Sequence, residues 1–210
     1  MKYILFSAFI FLVSIVISQK VISAKTNDGQ NSINAEANNT EKTIKYEVLE
    51  SKNGFQIRKY PDLTVATTKL NDNSYSNNSS SGFRKIASYI FGGNSSNMQI
   101  AMTSPVQMEM GTEPTMSFFM PNNMNSADLP KPNRTDVLVQ VQPSKIVAVI
   151  EFSGWASDQV LQEQFNLLKT KLKKESIDFE DSYSFLGYNP PYKLFNRKNE
   201  VTITLKNYKI

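Results

Sequence analysis

The sequence predicts an α+β fold in which a curved or barrel-like antiparallel sheet carries two packed helices. Short segments of alternating or β-branched apolar residues occur in both halves of the chain, and each half also contains one segment with the 3.6-residue period of a helix. Each half therefore runs strands, helix, strands, which indicates two similar β/α halves, although no repeat of residues is visible. A hydrophobic content of 40% and a charged content of 20% are typical of a packed domain.

The start of the chain has the composition of an export signal. Residues 4–17 are an apolar run interrupted only by Ser7 and Ser14 and preceded by Lys2. A membrane span needs roughly 20 apolar residues, so the run favours a signal peptide over residues 1–24, with an uncleaved anchor as the alternative. Residues 25–42 are rich in Asn, Gln, Thr and Ser, which predicts a flexible leader. We therefore expect one folded domain over 43–210, exported to a periplasm or to the extracellular space.

The first half contains a predicted hairpin and a short predicted helix. Asn53-Gly54 favours a tight turn between two strands, because both residues tolerate positive φ. Apolar residues at 83, 86, 87 and 90 share one helical face, and Gly92 follows as a helix terminator. The predicted elements are strands over 46–50, 55–60 and 63–70, a Ser/Asn loop over 71–81, a helix over 82–91, an interrupted strand within 98–110 and a strand over 115–120.

The second half is predicted to repeat this order around a longer helix. Residues 158–174 carry an apolar stripe, with Asp158 near the positive end of the helix dipole and several lysines near the negative end. The predicted elements are a pair of strands over 137–141 and 146–152 around Pro143-Ser144, the helix over 158–174, and strands over 183–188 and 201–205.

Two absences limit the chemistry. The chain has no Cys and no His, which excludes disulfides, thiolate nucleophiles, Cys-bound metal sites, an imidazole general base and the commonest haem ligand. The net charge of +4 comes without any run of Lys and Arg alternating with aromatics, so we expect no nucleic-acid surface.

Four stretches, in this order, resemble the SOUL haem-binding family across about residues 45–205. They are Tyr46-Glu47-Val48 with 55–60; 82–92 with Asn94; Ile100-Ala101-Met102-Thr103-Ser104-Pro105-Val106; and 187–192 with Arg197, Asn199, Glu200 and Val201. The resemblance implies a distorted antiparallel β-barrel of two similar β/α halves with two helices. It also implies a shallow apolar groove near the first helix, where some members bind haem or other tetrapyrroles. A His proposed as an axial ligand in some members is absent here.

The face of the first predicted helix is the first candidate ligand site. A porphyrin is a flat apolar disc with two propionates, so apolar residues beside cations suit it. The alternative is that the apolar residues are buried against the sheet and the cations are solvated. We predict tetrapyrrole binding, weak because no His ligates the iron, through Phe83, Arg84, Lys85, Ile86, Ala87, Ile90, Met98 and Met102.

Other ligands and activities stay open. Seven of the eight methionines lie within 98–124, where they could bind Cu(I) or haem iron or simply fill the core. A tyrosine could hold ferric haem, and the candidates are Tyr60, Tyr89, Tyr183, Tyr188 and Tyr192. The competing functions are an interaction domain without a small ligand and a His-free enzyme acting on an apolar small molecule. The enzyme would need carboxyl or Tyr groups that converge in a pocket, with Glu109 and Glu151 as candidate carboxyls. We expect a binding protein, not an enzyme, and the sequence predicts no oligomeric state.

Overall fold

Nine antiparallel strands form one curled sheet in the computed structural model, which describes residues 43–190 and 192–209. The strands are β1 (Glu47–Lys52), β2 (Phe55–Tyr60), β3 (Leu63–Lys69), β4 (Val106–Met110), β5 (Thr115–Phe119), β6 (Leu138–Gln142), β7 (Lys145–Ser153), β8 (Tyr183–Gly187) and β9 (Lys198–Thr204). Two α-helices, α1 (Tyr75–Ile90) and α2 (Asp158–Lys174), complete the fold with a short 3-10 turn at Ser126–Asp128. The half-barrel confirms the predicted α+β class. The predicted signal peptide over 1–24 and leader over 25–42 lie outside the described residues.

The strand order shows how the two halves combine. It runs β1-β2-β7-β9-β8-β4-β5-β3-β6, so the triplets β7-β9-β8 and β3-β5-β4 are joined through the β8–β4 pair. The hairpin β1–β2 is confirmed, with Gly54 at φ +82° in its turn. Strand β2, from the first half, pairs with β7 of the second, and β6, from the second half, pairs with β3 of the first. The halves therefore exchange their outer strands.

This exchange corrects the predicted pairing of strands around Pro143-Ser144. Strands β6 and β7 are two residues apart in the chain, which is a hairpin length, but they do not pair with each other. A proline has no N–H to donate at the turn, and the β2–β3 and β6–β7 connections, Pro61-Asp62 and Pro143-Ser144, each begin with one. The Ser144 amide donates to the Asp62 carboxylate at 2.7 Å, so the two crossings contact each other.

The two faces of the sheet bury different cores. Side chains alternate along a strand, and in β7 Ala148 and Ile150 face the helices while Val147 and Val149 face the other way. The second face is the inside of the curl, because one pocket there is lined by residues from eight of the nine strands. Its apolar cluster consists of Ile44, Tyr60, Val65, Phe119, Val147, Val149 and Leu186. Both cores and the whole sheet lie within 43–209.

The second helix is confirmed over 158–174, and the first is longer than predicted. The stripe Leu161, Phe165, Leu168 and Leu172 is buried as expected. The predicted Ser/Asn loop over 71–81 is wrong from Tyr75 onward, where α1 already begins. Likewise, regular strand within 98–110 is restricted to Val106–Met110, after the cis peptide bond Ser104–Pro105.

Capping explains why α1 begins in residues of low helix propensity. Ser74 is the N-cap, and its hydroxyl accepts from the Asn77 amide at 3.2 Å. The first turn of α1 has no acid of its own, but the Asp158 carboxylate accepts from the amides of Tyr75 at 2.6 Å and Ser76 at 3.2 Å. It also accepts from the Ser76 hydroxyl at 2.5 Å. Because Asp158 is the first residue of α2, one carboxylate serves the N-termini of both helices.

We expect Asp158→Ala to lower the free energy of unfolding by about 1–2 kcal/mol, because two amides at the start of α1 lose their acceptor. Urea denaturation followed by circular dichroism measures the change. Asp178→Ala is the matched control, since this exposed aspartate makes no side-chain hydrogen bond or ion pair within the described residues. Equal stabilities of the two variants would contradict this role of Asp158.

Candidate ligand-binding site

The predicted apolar face of α1 is the face that attaches the helix to the sheet. Ile86 and Ile90 are 0% and 1% exposed, and Ala87 is also buried. Phe83 is half-buried, with its ring 5.0 Å from that of Phe118 on β5. Ligand binding by these residues stays a prediction, but in this structure the three buried ones belong to the core. A ligand approaching α1 meets the side chains beside them.

Arg84 lies on the accessible side of α1. Residues 84, 88 and 91 follow each other at helical spacing, and all three are exposed. Phe91, the C-cap residue, is 62% exposed, and it pairs with Gln99 in an isolated antiparallel bridge. Met98, next to Gln99, is also exposed. We call Arg84, Ser88, Phe91 and Met98 the helix-end surface.

Asn94 fixes the loop that carries this surface. Its side chain is buried, and its amide nitrogen donates to the carbonyl oxygens of Tyr89 at 3.0 Å and Met98 at 2.7 Å. Its amide oxygen accepts from the Met98 amide at 3.0 Å. The Gly93 backbone is also close to the helix, because a Cβ there would lie 2.5 Å from the Ser88 carbonyl oxygen. The backbone that carries the apolar side chains of this loop is therefore held in one position.

The two predicted cations of the site differ in their surroundings. Lys85 is half-buried and forms an ion pair of 3.4 Å with Asp136, which Arg134 also holds through two hydrogen bonds. The Arg134 guanidinium, helped by Lys85, lowers the pKa of the Asp136 carboxyl to about 2. Arg84 is exposed and makes no ion pair within the described residues. Arg84 is therefore the cation that is available to an anionic group.

Most of the clustered methionines fill the core. Met108, Met110, Met116 and Met120 are at most 6% exposed, and Met124 is half-buried. Met98 and Met102, at 39% and 38% exposed, are the accessible thioethers of the group. The described residues also contain no group of three or more acidic side chains that could hold a metal ion.

Of the five candidate tyrosines, Tyr192 is the exposed one, at 82%. The Tyr89 hydroxyl is buried and donates to the Pro130 carbonyl oxygen at 3.0 Å. Tyr183 stacks on Phe165 with ring centroids 4.6 Å apart. Tyr60 and Tyr188 lie on the inner face of the sheet.

A fully buried carboxylate lies on that inner face. Glu200 of β9 has no exposed side-chain surface, and its oxygens accept from Arg58 at 3.0 Å and from the Tyr188 hydroxyl at 2.7 Å. Lys198 lies 3.2 Å from it. Burial disfavours the charge on Arg58, but the Glu200 carboxylate outweighs this and raises the pKa of the guanidinium. Burial, and then Glu200, raise the pKa of Tyr188, which keeps its hydroxyl a donor.

Tyr60 lies beside the network of Arg58, Tyr188 and Glu200, but its hydroxyl makes no hydrogen bond of normal geometry with it. Its hydroxyl is buried and has no partner within the described residues, although the Arg58 guanidinium is close enough to affect its pKa. Burial raises the pKa of Tyr60 to about 12. The Tyr60 ring lines a pocket with Leu63, Gln107, Phe119, Lys145 and Leu186. The pocket has about 330 Å³ of open space including its mouth, so its enclosed part cannot hold a tetrapyrrole ring.

Neither of the two carboxylates that the sequence suggested is the buried carboxylate of Glu200. Glu151 is 56% exposed at its side chain and forms an ion pair of 3.2 Å with Lys198, while Glu109 is half-buried. Glu200 was not predicted as a site residue, because it lies in a short polar stretch, Lys198-Asn199-Glu200. The apolar run that follows Glu200 predicts a strand that enters the core. A Glu that faces inward on such a strand is buried and needs hydrogen-bond donors, so this pattern could have identified it. Glu200, Tyr188 and Tyr60 do converge, as the enzyme alternative requires, but Glu200 is inaccessible and its oxygens are bonded.

Solved structures with the same fold define the class of protein as an α+β half-barrel. The C-terminal domain of EcmrR matches with a TM-score of 0.57 at 10% identity, covering 78% of this chain and 99% of that domain. A hydrolase from Listeria innocua matches with a TM-score of 0.52 at 7% identity, covering 75% of this chain and 94% of its own. At these identities the likeness concerns the fold alone.

Sequence comparison gives the family. The model of the SOUL heme-binding protein family matches residues 41–204, and the chain belongs to that family. Human Heme-binding protein 2 is 34% identical over 162 residues, which cover 73% of this chain and 78% of the human protein. Heme-binding protein 1 of Xenopus laevis is 24% identical and covers 73% of this chain and 84% of its own. The resemblance seen in the sequence is confirmed. Neither helix in the described part of the chain is long and apolar enough to cross a membrane.

We expect two Tyr→Phe variants on the inner face to differ in stability. Tyr188→Phe removes a donor to a buried carboxylate and should lower the free energy of unfolding by about 2 kcal/mol. Tyr60→Phe removes a buried hydroxyl that has no hydrogen-bond partner in the described part of the chain, so stability should stay equal or rise by up to about 1 kcal/mol. Urea denaturation at pH 7 compares the two. Because each variant loses one hydroxyl, each is the control for the other, and the reverse order of stability would refute this description of the network.

Proposed function

We propose that this domain is an exported, non-enzymatic protein that binds haem or a related tetrapyrrole at the helix-end surface. The observation that carries the proposal is the juxtaposition, at the end of α1, of the exposed Phe91 with Arg84, which has no ion pair within the described residues. Membership of the SOUL family and the names of the relatives supply the class of ligand. The inner-face pocket is too small to enclose such a ring, which also favours an outer surface.

The residues present suit a tetrapyrrole that lies on the protein. Phe91 offers an aromatic face for the macrocycle, and Met98 is a polarisable side chain that adapts to a flat surface. Arg84 can donate two parallel hydrogen bonds to a propionate. Lys85 already shares Asp136 with Arg134, so its contribution is smaller. This contact area is open to solvent on one side, and the affinity is therefore modest.

The iron of a bound haem would depend on ligands weaker than imidazole. The chain has no His, and Met98 and Met102 are the accessible thioethers of the methionine cluster. A thioether can ligate haem iron. Tyr89 is ruled out as a ligand in this conformation because its hydroxyl is buried against Pro130.

The composition of residues 1–24 supports the proposal that the protein is exported. The apolar run over 4–17 behind Lys2 has the length of a signal peptide, and the absence of Cys is compatible with an oxidising compartment. The chain has neither the imidazole that usually serves as a general base nor a thiol nucleophile, which favours binding over catalysis.

Titration with ferric haem tests the proposal. We expect a shifted, sharpened Soret band that saturates at about one equivalent. Arg84→Ala should raise the Kd about fivefold, because one exposed charge-assisted contact is worth about 1 kcal/mol. Phe91→Ala should raise it about tenfold through the lost aromatic contact.

The controls for this titration lie elsewhere on the surface. Lys174→Ala removes an exposed cation on α2, and Leu138→Ala removes an exposed apolar side chain on β6. Both should bind haem like the wild type. A spectrum identical to that of free haem, or equal affinities for all four variants, would exclude the helix-end surface.

The same complex tests the iron ligand. We expect Met98→Leu or Met102→Leu to change the ferrous spectrum while the Kd stays within about threefold, because Leu keeps the volume of Met but lacks its sulfur. Met124→Leu, at a half-buried member of the cluster, is the matched control. If neither substitution changes the spectrum, the iron is not held by these methionines.

A further inference from the structure

The pocket on the inside of the curl is lined by a buried tyrosine whose hydroxyl has no protein partner. Tyr60 is 4% exposed, and its hydroxyl makes no hydrogen bond within the described residues. Buried polar groups of native proteins nearly always have a partner. Because burial raises the pKa of Tyr60 to about 12, the hydroxyl stays protonated at pH 7 and can donate to an acceptor. A molecule bound in the pocket could supply that acceptor.

A lysine lies directly opposite Tyr60 on the neighbouring strand. Tyr60 of β2 and Lys145 of β7 are register partners, so their side chains leave the same face of the sheet. Lys145 also lines the pocket, is half-buried and makes no ion pair within the described residues. Asp62, at the neighbouring crossing, accepts from the Ser144 amide and does not pair with Lys145. A hydroxyl donor and a cation are therefore neighbours at this pocket.

The charges around the pocket favour an anion. Its lining contains Lys145 and neither Asp nor Glu. The buried carboxylate of Glu200 is close enough to affect the pKa of the pocket tyrosine, but Arg58 and Tyr188 already donate to its oxygens. Lys198 also lies 3.2 Å from this carboxylate. An anion in the pocket thus meets the charge of Lys145, while the charge of Glu200 is balanced by its own partners.

The rest of the lining is mostly apolar. Leu63, Phe119, Val147 and Leu186 belong to the apolar cluster on the inside of the curl or pack against it. Sites for small ligands have volumes of about 300–1,000 Å³, and this pocket, with about 330 Å³ including its mouth, is at the lower limit. An inorganic anion would leave these apolar walls without a contact. A short alkyl chain that ends in a carboxylate suits both the walls and the donors.

We propose that this pocket binds a free short-chain monocarboxylic acid in its carboxylate form. The Tyr60 hydroxyl and the Lys145 ammonium donate to the carboxylate oxygens, and the alkyl chain contacts Leu63, Phe119 and Leu186. The inference does not depend on tetrapyrrole binding, because the pocket and α1 lie on opposite faces of the sheet.

Titration with isovalerate, followed by NMR, tests the proposal. Isovalerate is added to the full chain labelled with nitrogen-15, and the chemical shifts of the backbone amides are recorded. We expect saturable shifts at Phe119 and Leu186 with a Kd of about 1 mM or lower, the range of a small ligand with few contacts. Acetate should bind about tenfold more weakly, because it lacks most of the alkyl chain. Isovaleramide, which has no charge, should bind about fivefold more weakly.

Two substitutions test the donors. Tyr60→Phe should raise the Kd for isovalerate about fivefold, and no loss of stability is expected to obscure the result. Lys145→Met removes the charge but keeps most of the aliphatic chain, and it should raise the Kd by a similar factor. The matched controls are Tyr183→Phe and Lys59→Met, at half-buried residues whose side chains lie on the helix side of the sheet. Both controls should bind isovalerate like the wild type.

Three results would overturn the proposal. Without saturable shifts, solvent alone is the partner of Tyr60, and equal affinities of all four variants would exclude the proposed donors. Shifts confined to the helix-end surface would make Arg84 the carboxylate receptor instead. If acetate binds as tightly as isovalerate, the apolar walls take no part in binding and the proposed class of ligand is wrong.

Discussion

The buried pair of Arg58 and Glu200 constrains the rest of the structure. A carboxylate without exposed surface is stable only where donors surround it, and the donors here come from β2, from β9 and from the residue after β8. In the sheet β7 lies between β2 and β9, so the pair spans three strands on the inside of the curl. The charged network occupies part of this inside, and the pocket found there among the described residues is too small for a tetrapyrrole ring, so a ligand of that size is directed to the outside.

The exchange of outer strands also limits where a ligand can reach the first helix. Because β2 and β6 each cross to the other half, the sheet curls toward the ion pair and presents its opposite face to the helices. Helix α1 then buries Ile86 and Ile90 against that face. The accessible side of the helix carries Arg84 and Ser88 and continues to Phe91 at its C-cap, beyond which Asn94 turns the chain back.

The sequence predicted elements whose determinants are local. Helix α2 has its apolar stripe, its capping Ser157 and its basic last turn within one segment, and its ends were predicted correctly. The start of α1 was missed because its acceptor, Asp158, is distant in the chain. The predicted pairing of β6 with β7 was wrong for the same reason. A two-residue loop normally predicts a hairpin, whereas the contact between Asp62 and Ser144 at the observed crossing is distant in the chain.

The helix-end surface has a physical design that local patterns do not reveal. The buried side chain of Asn94 is bonded to several backbone groups and fixes a loop whose apolar side chains face water. A loop that is already ordered loses little conformational entropy when it binds, so even a small contact can have useful affinity. On a flexible loop Phe91 could fold back and be covered by the rest of the surface. Fixing the backbone keeps Phe91 exposed, and this makes a binding role the simplest physical reason for its position.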